Sequence, residues 1–352
     1  MAACVAVARA SHIGTAFLVL LACAFAAYLA GLVLLRTGGR FAPVFALACA
    51  IQLAPLAAPV LLSTDVYTYW SYARLHDPYR DTPSEDAVSA SHAGAAYLHT
   101  TSVYGPVFSL VTRPLGRTSS ASVASWTLRV VAALAVLLAT WFASRRRAFS
   151  AALVGWNPVV AVHFAGGGHN DALMLALVSV ALALGDRGKP RIAGAAWGLA
   201  VLVKWVPVLL LPLRALEARA ARRRVDHLGF AVTVLVALGV ATALWRLHWL
   251  HAFAPLAHDA TRRTSYALPS RLHLPTWVFV VAYAIAYAWL LVVAARGRAR
   301  LGLSLALLLL CLPYLIVWYV LWPLVASAYD DDRVAVVLSL ALCAYLLPQT
   351  IT

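Results

Sequence analysis

The stretch ASVASWTLRVVAALAVLLATWFASRRRAFSAALVGWNPVVAVHFAGGGHNDALMLALVSVALALGDRGKPR, residues 121–191, decides the fold class. It holds three apolar windows, 121–143, 148–165 and 171–185. Arg145, Arg146 and Arg147 separate the first two, GGGHND at 166–171 separates the last two, and Arg187, Lys189 and Arg191 close the third. A membrane-spanning helix needs roughly 20 mostly apolar residues, and Lys and Arg accumulate at cytoplasmic helix ends. Both arginine clusters are therefore expected inside and the GGGHND turn outside.

Further windows of the same kind lie at 13–35, 41–62, 228–247, 275–295, 301–323 and 334–351. Residues 103–118 are too short and Pro-broken to cross, and read as an interfacial or re-entrant segment. Residues 192–213 are long enough for one crossing, but Lys204, Pro207 and Pro212 interrupt them. Basic clusters flank this stretch on both sides, the second being Arg214, Arg219, Arg222, Arg223 and Arg224. A hairpin that dips in and returns at Lys204–Pro207 keeps both clusters inside, as the fourth cluster, Arg296, Arg298 and Arg300, should also be. The expectation is an all-α polytopic membrane protein of about 9–11 transmembrane helices, one domain over 1–352. Loops 63–120 and 248–274 are then external, 36–40 internal and the N-terminus external. The first window is longer than a signal-peptide core and reads as a retained helix.

Composition agrees. Of 352 residues, 63% are hydrophobic and 12% charged, with a mean hydropathy of +0.83. Soluble domains run at about 45–50% apolar and about 25% charged, so a soluble enzyme is excluded. The net charge of +15 belongs to the cytoplasmic clusters rather than to a nucleic-acid surface. Asp65, Asp77, Asp81, Glu85, Asp86, Asp171, Asp259, Asp330, Asp331 and Asp332 are expected outside, against Asp186, Glu217 and Asp226 inside. The five cysteines form no CxxC pair, and no Walker lysine follows Gly166–Gly168.

Three segments carry chemistry. In LLSTDVYTYWSYARLHDPYRDTPSE, residues 61–85, Asp65 follows closely on an apolar window and precedes Tyr67, Tyr69, Trp70 and Tyr72. An aromatic belt with a helix cap is one reading. The other is a carboxylate base on a sugar hydroxyl, with rings stacking on sugar faces. In VHFAGGGHNDALM, residues 162–174, His169, Asn170 and Asp171 open a helix whose N-terminus favours an anion; ordinary capping by Asn170 or Asp171 is the plainer reading. Lys204, inside GLAVLVKWVPVLLLPL (198–213), is either functional or snorkels to the interface. Arg262 and Arg263 read as a phosphate clamp or as part of a solvated loop. His76, His92 and His99 lack ligand spacing, so no metal site is assigned.

The ordered set STDVYTYW, ARLHDPY, SVYGPVFSL, WNPVV, GGGHNDALM and LAVLVKW resembles the GT-C superfamily of integral-membrane glycosyltransferases. It is most similar to the actinobacterial polyprenyl-phosphate-mannose-dependent α-1,6-mannosyltransferases of lipomannan and lipoarabinomannan synthesis. The matched motifs span residues 61–207, and Arg74-Leu75-His76 stands where the family has a glycine-containing run. The resemblance implies transfer of a mannosyl or other hexosyl residue, with inversion, from a polyprenyl-phosphate sugar to an envelope glycan or glycolipid. The site would lie on the outer face of the plasma membrane. Asp65 would be the catalytic base, and Tyr67, Tyr69, Trp70, Tyr104, His169, Asn170, Asp171, Lys204, Arg262 and Arg263 would bind substrate. Some members of the superfamily use a divalent ion and others do not, so the resemblance leaves a cofactor open. Rival readings are a transporter or lipid flippase, for which intramembrane Lys204 is equally apt, and an inactive subunit.

Overall fold

The computed structural model describes residues 1–10, 13–225, 227–259 and 262–351, and among these it is helical without strands. Five helices are individually long and apolar enough to cross a membrane: Thr15–Leu35, Ala121–Ala143, His227–Trp245, Thr276–Ala295 and the C-terminal Arg333–Thr350. Their lipid-type outer faces carry Val131, Leu134, Leu235, Val280 and Ile285 in exposed positions, as expected where the solvent is hydrocarbon.

The 148–165 window is a bent pair, Ala148–Gly155 and Pro158–Gly167, inclined at 52°. Sequence explains the bend: Pro158 cannot continue the preceding helix, and Asn157 Oδ1 accepts from the Val159 and Val160 N–H groups as a new cap. The freed Gly155 carbonyl accepts from Gln52 Nε2 at 3.0 Å, so the break leaves that group satisfied inside the bundle. The pair ends at Gly168, which adopts a left-handed φ of 73° and donates its N–H to Phe164 O. A side chain there would be strained.

Two hairpins open toward the arginine-rich end. In the first, Pro190–Val203 rises beside Asp171–Asp186, the chain turns at Lys204, and Leu210–Ala220 returns until Arg214 bonds Asp186. The second corrects the reading of 301–323 as one crossing. Leu301–Cys311 stops at Leu312–Pro313, and Leu321–Asp330 folds back along it, bringing Gly302 N–H to Asp330 Oδ2. Apolar composition alone could not reveal the reversal.

One consequence is a second correction. Asp330, Asp331 and Asp332, expected outside, lie at the arginine-rich end: Asp331 pairs with Arg147, and Asp332 takes both an Nε and an Nη bond from Arg300. Asp186 gathers Arg214, Arg223 and the Tyr329 hydroxyl there. This network ties together the ends of six helices. Asp226 lies outside the described residues, and so do the side chains of His258 and Asp259.

Candidate active site

At the opposite end, Asp65 begins the helix Asp65–Arg74, with Thr64 in the cap position making no side-chain cap bond. The carboxylate turns instead toward the GGGHND turn, where Asp65 Oδ2 stands 3.3 Å from His169 Nδ1. Asp65 keeps 17% of its side chain exposed while the His169 side chain is enclosed, so water reaches the acid more readily than the imidazole. The ring of His169 stacks on Trp318, centroids 3.7 Å apart and planes 15° apart.

Asp171 heads the next helix and is fully buried. Its Oδ1 accepts from Lys204 Nζ at 2.7 Å and from Trp322 Nε1 at 2.6 Å. Lys204 follows the end of Pro190–Val203 with extended backbone, and its ammonium lies 4.9 Å from the Tyr319 ring centroid and 5.4 Å from that of Trp322. Neither snorkelling nor helix capping describes these two residues: the turn of the first hairpin pairs with the start of Asp171–Asp186, and two aromatic faces add cation–π attraction.

Buried polar atoms without hydrogen-bond partners concentrate here: both nitrogens of His163 and of His169, both amide atoms of Asn170, and Asp171 Oδ2. Native interiors satisfy nearly all such groups, and a cluster of exceptions marks a place kept ready for chemistry or a ligand. An apolar groove of about 120 Å³, lined by Phe108, Val111, Leu128 and Val131, runs to His169 and Asn170. A wider cavity of about 880 Å³ lies among Tyr79, Arg80, Tyr97, His99, His251 and Arg262. That is within the usual size of small-molecule sites, about 300–1,000 Å³.

The other expected residues divide. Tyr69 and Tyr104 are buried edge-on to each other and to Phe108, forming the wall behind Asp65. Tyr67 is half-buried beside His92. Trp70 is fully buried and donates Nε1–H to Leu115 O, so its surface is committed to packing the 113–117 turn. Arg262 lies over Tyr314 and lines the wider cavity, whereas Arg263 is exposed and donates to Thr276; the structure does not bring the two together as a clamp. Among the described residues no three His, Cys, Asp or Glu side chains converge as metal ligands.

Sequence reasoning missed two sets of residues. Trp318, Tyr319 and Trp322 come from the folded-back hairpin; the signal was the aromatic run WYVLWP between Pro313 and Pro323. Arg129 is 4% exposed within Ala121–Ala143. It donates Nε to Ala165 O and Nη2 to Pro55 O and Ala58 O, pinning the glycine turn to the segment that follows the helix Phe41–Leu53. A buried guanidinium spanning carbonyls of two segments uses the fixed donor geometry that lysine lacks.

The family described as "Alpha-(1->6)-mannopyranosyltransferase, N-terminal domain" matches residues 2–220. The chain belongs to this family. The match includes Asp65, Arg129, His169, Asp171 and Lys204, while the aromatic hairpin and Arg262 lie beyond it. Alpha-(1->6)-mannopyranosyltransferase B of Corynebacterium glutamicum is 30% identical over 208 residues, 53% of this chain and 34% of the relative. Alpha-(1->6)-mannopyranosyltransferase A of the same organism is 32% identical over 176 residues, 44% of this chain and 34% of the relative. A Mycobacterium tuberculosis alpha-(1->6)-mannopyranosyltransferase is 29% identical over 172 residues, 41% of this chain and 28% of the relative. The chain thus covers about a third of the length of these mannopyranosyltransferases. No solved structure matches it.

Proposed function

We propose that the chain transfers a mannosyl residue from a polyprenyl-phosphate mannose to a hydroxyl of an envelope glycan or glycolipid, with inversion, at the outer face of the plasma membrane. Asp65 acts as base, and the observation that carries this reading is its placement. A partly exposed carboxylate stands 3.3 Å from an enclosed imidazole, beside the pair of half-buried Lys204 and buried Asp171.

In the reaction, Asp65 takes the proton of the acceptor hydroxyl as the acceptor oxygen bonds to C1 of the sugar. The C1–O bond to phosphate breaks, and its electron pair leaves on the polyprenyl phosphate. Lys204 faces that developing charge, an electrostatic contribution that grows toward the transition state. Asn170 and His169 offer unpaired polar atoms to orient the donor, and the groove along Phe108, Val111 and Leu128 gives an isoprenoid chain an apolar approach from the bilayer. The wider cavity beside Tyr97 and Arg262 has room for the acceptor. Arg263 has no part in this account.

The family relationship favours mannose as the sugar. The outward orientation rests on the arginine-rich network at the opposite end, where positive charge is retained inside. Membranes holding the full chain, given polyprenyl-phosphate mannose labelled in the sugar, test the proposal. Label should move to a glycan or glycolipid product with release of unlabelled polyprenyl phosphate; label that stays on the donor with every envelope acceptor fraction would overturn it.

A further inference from the structure

The arginine-rich end holds a cavity that the proposed transfer does not use. Between the arms of the first hairpin and the helices Asp171–Asp186 and His227–Trp245 lies a slot of about 190 Å³. Its wall is apolar and short of bulk, with Ala193, Gly194, Leu211 and Phe230 around Trp197. Its mouth is cationic, made by Arg214, Arg223 and Arg224, with His227 beside them. Asp186 answers Arg214 and Arg223, and Glu217 answers Arg214 as well. Arg224 is exposed and pairs with no carboxylate among the described residues, so the described side chains leave the mouth net positive.

We infer that this slot binds one anionic phospholipid, its acyl chain lying against Trp197 and its phosphodiester at Arg224 and His227. The two halves of the site fix the chemistry. A soluble anion would use the mouth and leave the apolar wall wet. A zwitterionic lipid brings its own cation to a mouth that is already positive. Only an amphiphile of net negative charge satisfies both the wall and the mouth, and basic pockets between membrane helices recognise such head groups. The slot lies where the positive-inside rule puts the cytoplasmic leaflet, away from Asp65, so the inference stands independently of the transferase reading.

Trp197 reports occupancy directly. The full chain is reconstituted in phosphatidylcholine nanodiscs containing increasing fractions of phosphatidylglycerol or phosphatidylcholine with brominated acyl chains. The quenching present in the native chain and absent in Trp197→Phe is then followed. Half-maximal quenching is expected at an about fivefold lower fraction of the brominated phosphatidylglycerol, the preference that one basic residue near the surface confers. That preference should vanish in Arg224→Ala/His227→Ala, whose two positions are exposed and leave folding intact. Equal quenching by both lipids, or a preference that survives in the double variant, would overturn the inference. Native mass spectrometry of the purified chain gives a reading that needs no Trp197 substitution. A retained anionic phospholipid that the double variant loses supports the site, and a retained zwitterionic lipid or none contradicts it.

Discussion

Lys204 Nζ lies 2.7 Å from Asp171 Oδ1, where Lys204 follows one helix, Asp171 opens another, and Asp171 is fully buried. The bond closes the first hairpin against the helix that follows His169, and Trp322 Nε1 reaches the same oxygen from the second hairpin. Removing Lys204 alone strands a buried carboxylate. Lys204→Met should therefore destabilise the protein by about 3–5 kcal/mol, as for other broken buried pairs. In Lys204→Met/Asp171→Leu, where neither charge is left, much of the thermal midpoint should return while transfer stays low. Thermal unfolding of the purified chain followed by tryptophan emission checks both statements.

Gly105 makes a separate prediction about how the 63–120 loop is docked. A Cβ at this position would stand 2.1 Å from Leu202 O, and the Gly105 N–H donates to Val203 O. Gly105→Ala must push the loop away from the residue next to Lys204. We expect a lower thermal midpoint and weaker donor binding, seen as a raised KM. Gly94→Ala is the control, because its nearest neighbour is Thr68 Oγ1 at 3.4 Å.

Arg129 is expected to resist even conservative replacement. Lysine carries the charge but cannot span Ala165 O, Pro55 O and Ala58 O at once, and buried carbonyls left unsatisfied cost about 1–3 kcal/mol each. Arg129→Lys should lower the thermal midpoint and leave His169 less firmly placed over Trp318. Protection of the 165–169 amides from hydrogen exchange measures that loss; unchanged protection would remove Arg129 from the account.

In the 63–120 loop, hydrogen bonds from the Ser89 and Arg74 side chains hold the Asp86 carboxyl down at about 2. An unfolded Asp titrates near about 3.9, so the contribution of Asp86 is complete above that pH and is lost as pH falls toward 2. Asp86→Asn should be less stable than the native chain by a constant margin at neutral pH, about 1 kcal/mol or less for a pair this exposed. The margin should shrink below pH ~4 as the native carboxyl takes up its proton. Denaturant midpoints of both chains between pH 7 and pH 2.5 test the sign.

The part of the site read from sequence is the part built on local punctuation. Asp65, Gly166–Gly168, His169, Asp171 and Lys204 each break an apolar run, and each break proved to be a turn at one end of the bundle. Trp318, Tyr319 and Trp322 were not legible because 301–323 keeps its apolar composition through the reversal at Leu312–Pro313, and hydropathy does not distinguish one crossing from two half-crossings. The same reversal misplaced Asp330–Asp332. Arg129 escaped notice because a lone arginine in an apolar helix acquires meaning only through carbonyls distant in sequence. Tyr69 and Tyr104 show the converse: aromatic residues near the proposed base pack against each other as the wall behind it.

The central claim is that Asp65 is the base, and Asp65→Asn tests it most directly, since the amide keeps the size of the side chain and cannot accept the acceptor proton. The measurement is the initial rate of transfer from labelled polyprenyl-phosphate mannose in membranes carrying equal amounts of native and variant chain, with thermal midpoints compared in parallel. The account predicts an unchanged midpoint and a rate lower by about 10²–10⁴, the range that a positioned base supplies. A variant that folds normally and transfers at the native rate would contradict it.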